Sequence, residues 1–116
     1  MHNKHKKIIN HLKKIANKGS MRCKHAAAVV SRKGNILSTG YNYISPRKSE
    51  SIHAERDALL KCNPRELKGK SLYVIRISRT KQNKCLLSLP CKKCQSLIRS
   101  YQTKYNLKNV YYSVDL

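Results

Sequence analysis

Acidic side chains are nearly absent from this sequence. Five Asp and Glu stand against 26 Lys and Arg, a net charge of +21. That balance points to anionic partners such as nucleotides, nucleic acid or anionic surfaces. The chain also carries nine Asn and 18 Lys spread along its length, the usage an A/T-biased genome imposes, so charge alone assigns no partner. Trp and Phe are missing, and Ile, Leu, Val, Ala and seven Tyr must build the core. No apolar run approaches the ~18 residues of a membrane-spanning helix. The N-terminus is basic, but no continuous apolar stretch follows it to make a secretory signal. It is rich in Lys and His rather than the Arg and Ser of a mitochondrial presequence. The expected location is the reducing cytoplasm, with no membrane partner. Five cysteines cannot all pair with one another, which excludes a complete disulfide framework and leaves metal binding or redox chemistry for a C-x-x-C pair.

A length of 116 residues suits one domain, and no repeat, linker or composition shift divides it. The stretch 4–17 places Ile8, Ile9, Leu12, Ile15 and Ala16 on one helical face, with Lys6, Lys7, Lys13 and Lys14 off it. Residues 1–19 are therefore expected to form a basic amphipathic helix packed on a sheet. Ala26–Ser31 and Ile36–Tyr41 form a hairpin around Lys33, Gly34 and Asn35. A polar loop over 43–51 leads to a helix over about 52–62, for which Ser51 offers a cap. "SLYVIRI" at 71–77 has the near-continuous apolar character of a central strand. "CLLSLP" at 85–90 extends that strand into a small hairpin before a helix over 91–105. Asn106 suits a left-handed stop, and 109–114 supply a last strand. The order α-β-β-α-β-α-β predicts a three-layer α/β/α sandwich with a mixed sheet of four to five strands.

The chemistry lies in "HAERDALLKC" from His53 and "PCKKC" from Pro90. Cys91 and Cys94 stand one turn apart at a helix start, whose positive end favours thiolates. Two thiolates in a reducing setting prefer zinc, which takes four ligands. No second C-x-x-C or H-x-x-x-H pair exists to close a structural site. His53 makes a third ligand and leaves the fourth position to water, the arrangement of a catalytic zinc. Such a site lowers the pKa of water from ~16 towards ~7. Glu55, two residues after His53, is placed to move that water's proton. Asp57 faces another side of the helix and is expected to be a surface or structural charge. Cys62 is expected to be a small buried apolar residue, and Cys23 and Cys85 buried or partly exposed.

"HAE" followed by "PCKKC" resembles the H-x-E…P-C-x-x-C signature of zinc nucleobase deaminases. "STGYN", "SLYV", "LPCKKCQSLI" and "NVYYSV" extend the resemblance over about 23–115, towards the cytidylate and deoxycytidylate deaminase branch of the cytidine deaminase-like superfamily. The resemblance implies a cytidine deaminase-like fold and hydrolytic conversion of cytosine to uracil in a nucleotide, with release of ammonia. It implies one zinc per chain on His53, Cys91 and Cys94, with Glu55 as catalytic proton shuttle. It also implies that the Ala54 backbone meets the ring carbonyl and Asn42 the sugar. The carbonyl of Ser88 or Leu89 would receive the leaving amine. Tyr41 or Tyr43 is placed to line the base pocket, and Arg47 and Lys48 to hold a phosphate. Two other readings stand beside this one: a deaminase of cytosine or adenine in DNA or RNA, and an inactive zinc-containing module that binds nucleic acid.

Three features depart from the family. Free-nucleoside cytidine deaminases usually carry Cys where His53 stands, which argues against that branch. The connection from Ile77 to Pro90 is long. The sequence stops just after the fourth strand, giving a C-terminally truncated topology whose free edge would favour a homo-oligomer.

Overall fold

The computed structural model describes residues 3–18, 24–44, 51–77, 85–86 and 92–112. Its elements are α1 (Asn3–Ala16), β1 (Lys24–Val30), β2 (Ile36–Tyr41), β3 (Tyr43–Ile44), β4 (Ser51–Ile52), α2 (Ala54–Lys61), a 3-10 turn at Pro64–Glu66, β5 (Ser71–Ile77), β6 (Cys85–Leu86), α3 (Lys92–Tyr105) and β7 (Asn109–Tyr112). Among the described residues no helix is long and apolar enough to cross a membrane.

The main sheet runs β2-β1-β5, with β6 and β7 sharing the far edge of β5. β1 is antiparallel to both neighbours, pairing Ala27 with Gly40 on one side and with Val74 on the other. β6 pairs antiparallel with Arg76 and Ile77, and β7 parallel with Ser71–Val74. The parallel pairing expected of a strand–helix–strand unit thus holds for β5, α3 and β7, which need the crossover that α3 supplies. Because β2 and β5 are both antiparallel to β1, they point the same way. Their C-terminal ends, and the starts of the helices that follow, therefore lie along one edge of the sheet.

Alternation along the strands divides the core into two layers. Ala26, Ala28, Val30, Tyr73, Ile75 and Ile77 pack against Ile8, Ile9, Leu12 and Ala16 of α1. Ala27, Val29, Leu72 and Val74 pack on the other side against Ala54, Ala58 and Leu59 of α2 and Ile98 and Tyr101 of α3. Burying each Ile, Leu or Val side chain contributes about 1.5–3 kcal/mol. The α/β/α sandwich is as the sequence indicates, and so is the apolar face of α1. Asn106 adopts φ 58 at the end of α3, and Gly34 φ 89 in the β1–β2 turn.

One helix start differs from expectation. Ser51 is not the cap of α2: Ser51 and Ile52 pair with Ile44 and Tyr43 as a two-residue ladder. That ladder holds the chain extended for two more residues, so the helix begins at Ala54 with His53 at the N-cap position.

α1 is also pinned by a polar contact. His5 Nδ1 lies 2.7 Å from the Tyr73 hydroxyl, and Tyr111 packs edge-on to His5 and tilted against Tyr73. Burial, with Tyr111 beside it, pushes the Tyr73 phenol up to about 12. The folded state therefore holds this phenol neutral, and the resulting stability is complete below pH ~10 and lost as pH rises towards 12. Tyr73→Phe should lose about 1 kcal/mol at pH 8 through the missing hydrogen bond. It should also show a shallower decline between pH 10 and 12 in guanidinium unfolding.

Candidate active site

The shared edge of the sheet brings the two chemical motifs together. His53 stands at the N-cap of α2 with extended backbone angles (φ -82, ψ 150), and its side chain makes no capping hydrogen bond. Its carbonyl instead accepts the Asp57 N–H at 3.0 Å, closing the first turn. The imidazole reaches across to α3, where Nδ1 lies 3.2 Å from the Cys94 Sγ. Cys94 sits in the first turn of α3 and is buried. The shared ligand set expected from the sequence requires this contact across 41 residues, and the parallel course of β2 and β5 creates it.

Glu55 lies in the first turn of α2 and is only 4% exposed. A carboxylate so placed is costly unless a ligand or water meets it, and the positive end of α2 offsets part of that cost. Ala54 is fully buried beside it. Asp57, expected to be a surface or structural charge, is largely buried and pairs with Lys61 at 3.1 Å. Lys61 also donates to the Thr39 carbonyl, so the pair fastens α2 to β2. Cys62 is buried as expected, and its thiol donates to Ser38.

Asn42 follows β2 and is 6% exposed. Its Oδ1 accepts the His25 N–H at 2.9 Å, and its own N–H donates to the His25 carbonyl at 3.4 Å. The side chain is thus clamped to the start of β1 and held in one orientation. The His25 ring is held neutral: burial, then the Arg76 guanidinium and His53, push it down to about 4. Tyr41 and Tyr43 flank Asn42 with ring centroids 6.1 Å apart.

Three contributors escape a reading of motifs alone. Gly40 lies where β2 passes α2, and a Cβ there would fall 2.6 Å from the Ala58 N and 2.7 Å from the Ala54 O. A glycine inside a strand pattern is the available signal for such an approach. Ser38 adds a hydrogen bond from its hydroxyl to the Ala58 carbonyl at 2.7 Å. His25 has no sequence signal, because its role is carried by backbone atoms.

Cys91, Ser88, Leu89, Arg47 and Lys48 lie outside the described residues. Among the described residues no group of three metal-binding side chains occurs. The donors that are described do suit zinc. An imidazole nitrogen and a thiol sulfur converge within reach of one ion at bond lengths of about 2.1 and 2.3 Å.

Comparison with known proteins agrees with this site. The family described as the cytidine and deoxycytidylate deaminase zinc-binding region matches residues 2–112. The chain belongs to this family. Membership makes it a hydrolytic deaminase of the cytidine and deoxycytidylate type, from a family that binds zinc. Among solved structures, the dCMP deaminase of cyanophage S-TIM5 in complex with dCMP and dUMP is similar at a TM-score of 0.66 and 22% identity, over 97% of this chain and 82% of that one. Cytidine deaminase from Burkholderia pseudomallei is similar at a TM-score of 0.59 and 22% identity, over 81% of this chain and 73% of its own. Acinetobacter baumannii RibD is similar at a TM-score of 0.55 and 11% identity, over 96% of this chain and 35% of its own. These identities speak to the fold, which is cytidine deaminase-like. No curated protein sequence matches the deaminase significantly.

Proposed function

We propose that this deaminase acts on a free cytosine nucleotide, dCMP or CMP, as a single domain over residues 1–116 with one zinc per chain. The observation that carries the reading is the meeting of His53 Nδ1 and Cys94 Sγ at 3.2 Å, with the buried Glu55 two residues from His53. His53, Cys94 and Cys91 would hold the metal. Zinc, when bound, supplies a Lewis acid that lowers the pKa of water at its open position towards ~7.

The chain's own residues do the rest. The Glu55 carboxylate takes one proton from the attacking water and delivers it to the ring nitrogen next to the reacting carbon, then carries the second proton from the added hydroxyl to the departing amine. Water adds its oxygen to that carbon, the carbon–nitrogen bond breaks, and ammonia leaves; the nucleotide keeps its sugar and phosphate. The Ala54 N–H, at the positive end of α2, donates to the ring carbonyl. Asn42, clamped by the His25 backbone, meets the sugar in a fixed orientation. The Ser88 or Leu89 carbonyl accepts from the amine, and Arg47 and Lys48 bind the phosphate. The cyanophage enzyme that shares this fold was solved in complex with dCMP and dUMP, and a nucleotide substrate is consistent with it.

Ammonia release tests the reading, with CMP, dCMP, cytidine, deoxycytidine and single-stranded DNA offered to zinc-loaded protein. The monophosphates should exceed the nucleosides in kcat/KM by at least about 100-fold, since losing a charge-assisted phosphate contact costs about 1.5–3 kcal/mol per bond. Deamination of nucleosides or of polynucleotide alone would overturn the substrate. Fewer than one zinc per two chains by metal analysis would overturn the ligand set.

A further inference from the structure

The Glu55 site accounts for one edge of the sheet, and the opposite face carries a different feature. α1 spends its apolar side entirely on the sheet, with Ile8, Leu12 and Ala16 at most 2% exposed. Its outward side carries Lys6, Lys7, Lys14 and Lys18, all exposed, and Lys13, partly exposed. Between them lie Asn10, His11 and Asn17, also exposed. Successive residues turn by 100°, so Lys6, Lys7, Asn10, His11, Lys13 and Lys14 occupy one continuous arc along a helix about 21 Å long, and Asn17 and Lys18 follow in the turn after it. The arc contains no acidic or apolar side chain and no Phe, Tyr or Trp; its one aromatic ring is the His11 imidazole.

Among the described residues no acidic side chain lies on this face of the sheet to neutralise it. Asp and Glu are absent from the described residues 3–18, 24–44, 67–77 and 92–112. The three described acidic residues are Glu55, which is buried, Asp57, which is paired with Lys61, and Glu66. All three lie between 54 and 66, and α2 packs on the other face of the sheet from α1. The α1 arc is also held rigid by the His5–Tyr73 contact at 2.7 Å, so its charges are preorganised rather than carried on a loose tail.

We propose that the outer face of α1 binds the phosphate backbone of duplex nucleic acid, without regard to sequence. A row of lysines with interspersed amides matches a line of phosphates, which take cations and hydrogen-bond donors. The absence of Phe, Tyr and Trp removes the large aromatic platform on which single strands stack their bases, and one imidazole does not replace it. The absence of exposed apolar residues removes the face that an interfacial helix buries in a membrane. This surface is independent of the substrate proposed above and requires no contact with the active site.

The test is fluorescence anisotropy with a labelled 30-base-pair DNA duplex, titrated at several salt concentrations. One variant combines Lys6→Gln, Lys7→Gln, Lys13→Gln, Lys14→Gln and Lys18→Gln. A control removes the same charge elsewhere, through Arg65→Gln, Lys68→Gln, Arg99→Gln, Lys104→Gln and Lys108→Gln. Each phosphate neutralised on a duplex contributes about 0.9 to the slope of log K against log salt. The α1 variant should therefore lose about 3 or more units of slope and at least tenfold in affinity at ~0.1 M salt. The control should lose less than about threefold. Equal losses in the two variants would mean that net charge, not this face, binds, and would overturn the proposal. So would an unchanged α1 variant, tenfold preference for the single strand, or binding to phosphatidylserine vesicles without binding to duplex. Lysine acetylation of the unaltered protein supplies a second readout that does not depend on the variants folding. Duplex should protect Lys6, Lys7 and Lys14 more than Lys104 and Lys108, and the reverse order would sink the assignment.

Discussion

Glu55→Gln should reduce turnover by about 10²–10⁴-fold, the share that a positioned proton carrier contributes. The change is nearly isosteric, so the 4% exposed pocket stays filled. The amide cannot accept and return a proton at neutral pH, and the cycle of water deprotonation and amine protonation stops. Zinc content and melting temperature should stay close to those of the unaltered protein, because Glu55 is not among the proposed ligands. This combination separates a proton carrier from a structural residue. A variant that kept its activity within tenfold would remove Glu55 from the reaction. A variant that lost its zinc would make Glu55 part of the metal site instead.

Gly40→Ala should damage the enzyme from a position that touches no substrate. The added Cβ would meet the Ala58 N at 2.6 Å, the Ala54 O at 2.7 Å and the Asp57 Cβ at 2.8 Å. Two of these atoms are backbone and cannot rotate away, so α2 as a whole must move off β2. Crowding of this kind costs about 1–3 kcal/mol. The movement carries Ala54 and Glu55 with it, and a misplacement of about 1 Å can cost about 100-fold in rate. Thermal melts should show the destabilisation, and steady-state kinetics should show kcat falling more than the stability loss explains at a temperature where the variant is fully folded. A variant that melts like the unaltered protein and keeps its kcat would show that the approach is not as tight as the coordinates place it.

Much of the molecule was legible because it depends on short-range patterns. The 3.6-residue period over 4–17 marks the buried side of α1, since a stripe at that spacing can be buried only as a helix. "SLYVIRI" marks β5, because a strand covered on both faces needs apolar residues in succession. Asn106 marks the end of α3, because an αL stop tolerates few residues other than Gly and Asn. What escaped depends on distant partners. Ser51 looks like a cap, yet its extended pairing with Ile44 takes precedence and passes the N-cap to His53. Asn42 was placed at the sugar, but no pattern reveals that its Oδ1 is already held by the His25 N–H.

The amino-acid sequence by itself determined the donors: a histidine, a carboxylate two residues later, and a C-x-x-C pair with no partner pair to close the site. Residue type and spacing decide such chemistry, since they fix which atoms can hold a metal and how many positions stay open. The sequence pairs His53 with Cys94 as ligands, but only the tertiary structure shows how they meet. Their contact needs β2 and β5 to run the same way on either side of β1, so that α2 and α3 begin at one edge of the sheet. The helical period already sets the lysines of α1 apart from its apolar stripe, and the fold decides what surrounds them. Burying one side of α1 against the sheet leaves its cations on a single arc, with the described acids held between 54 and 66, beyond the sheet.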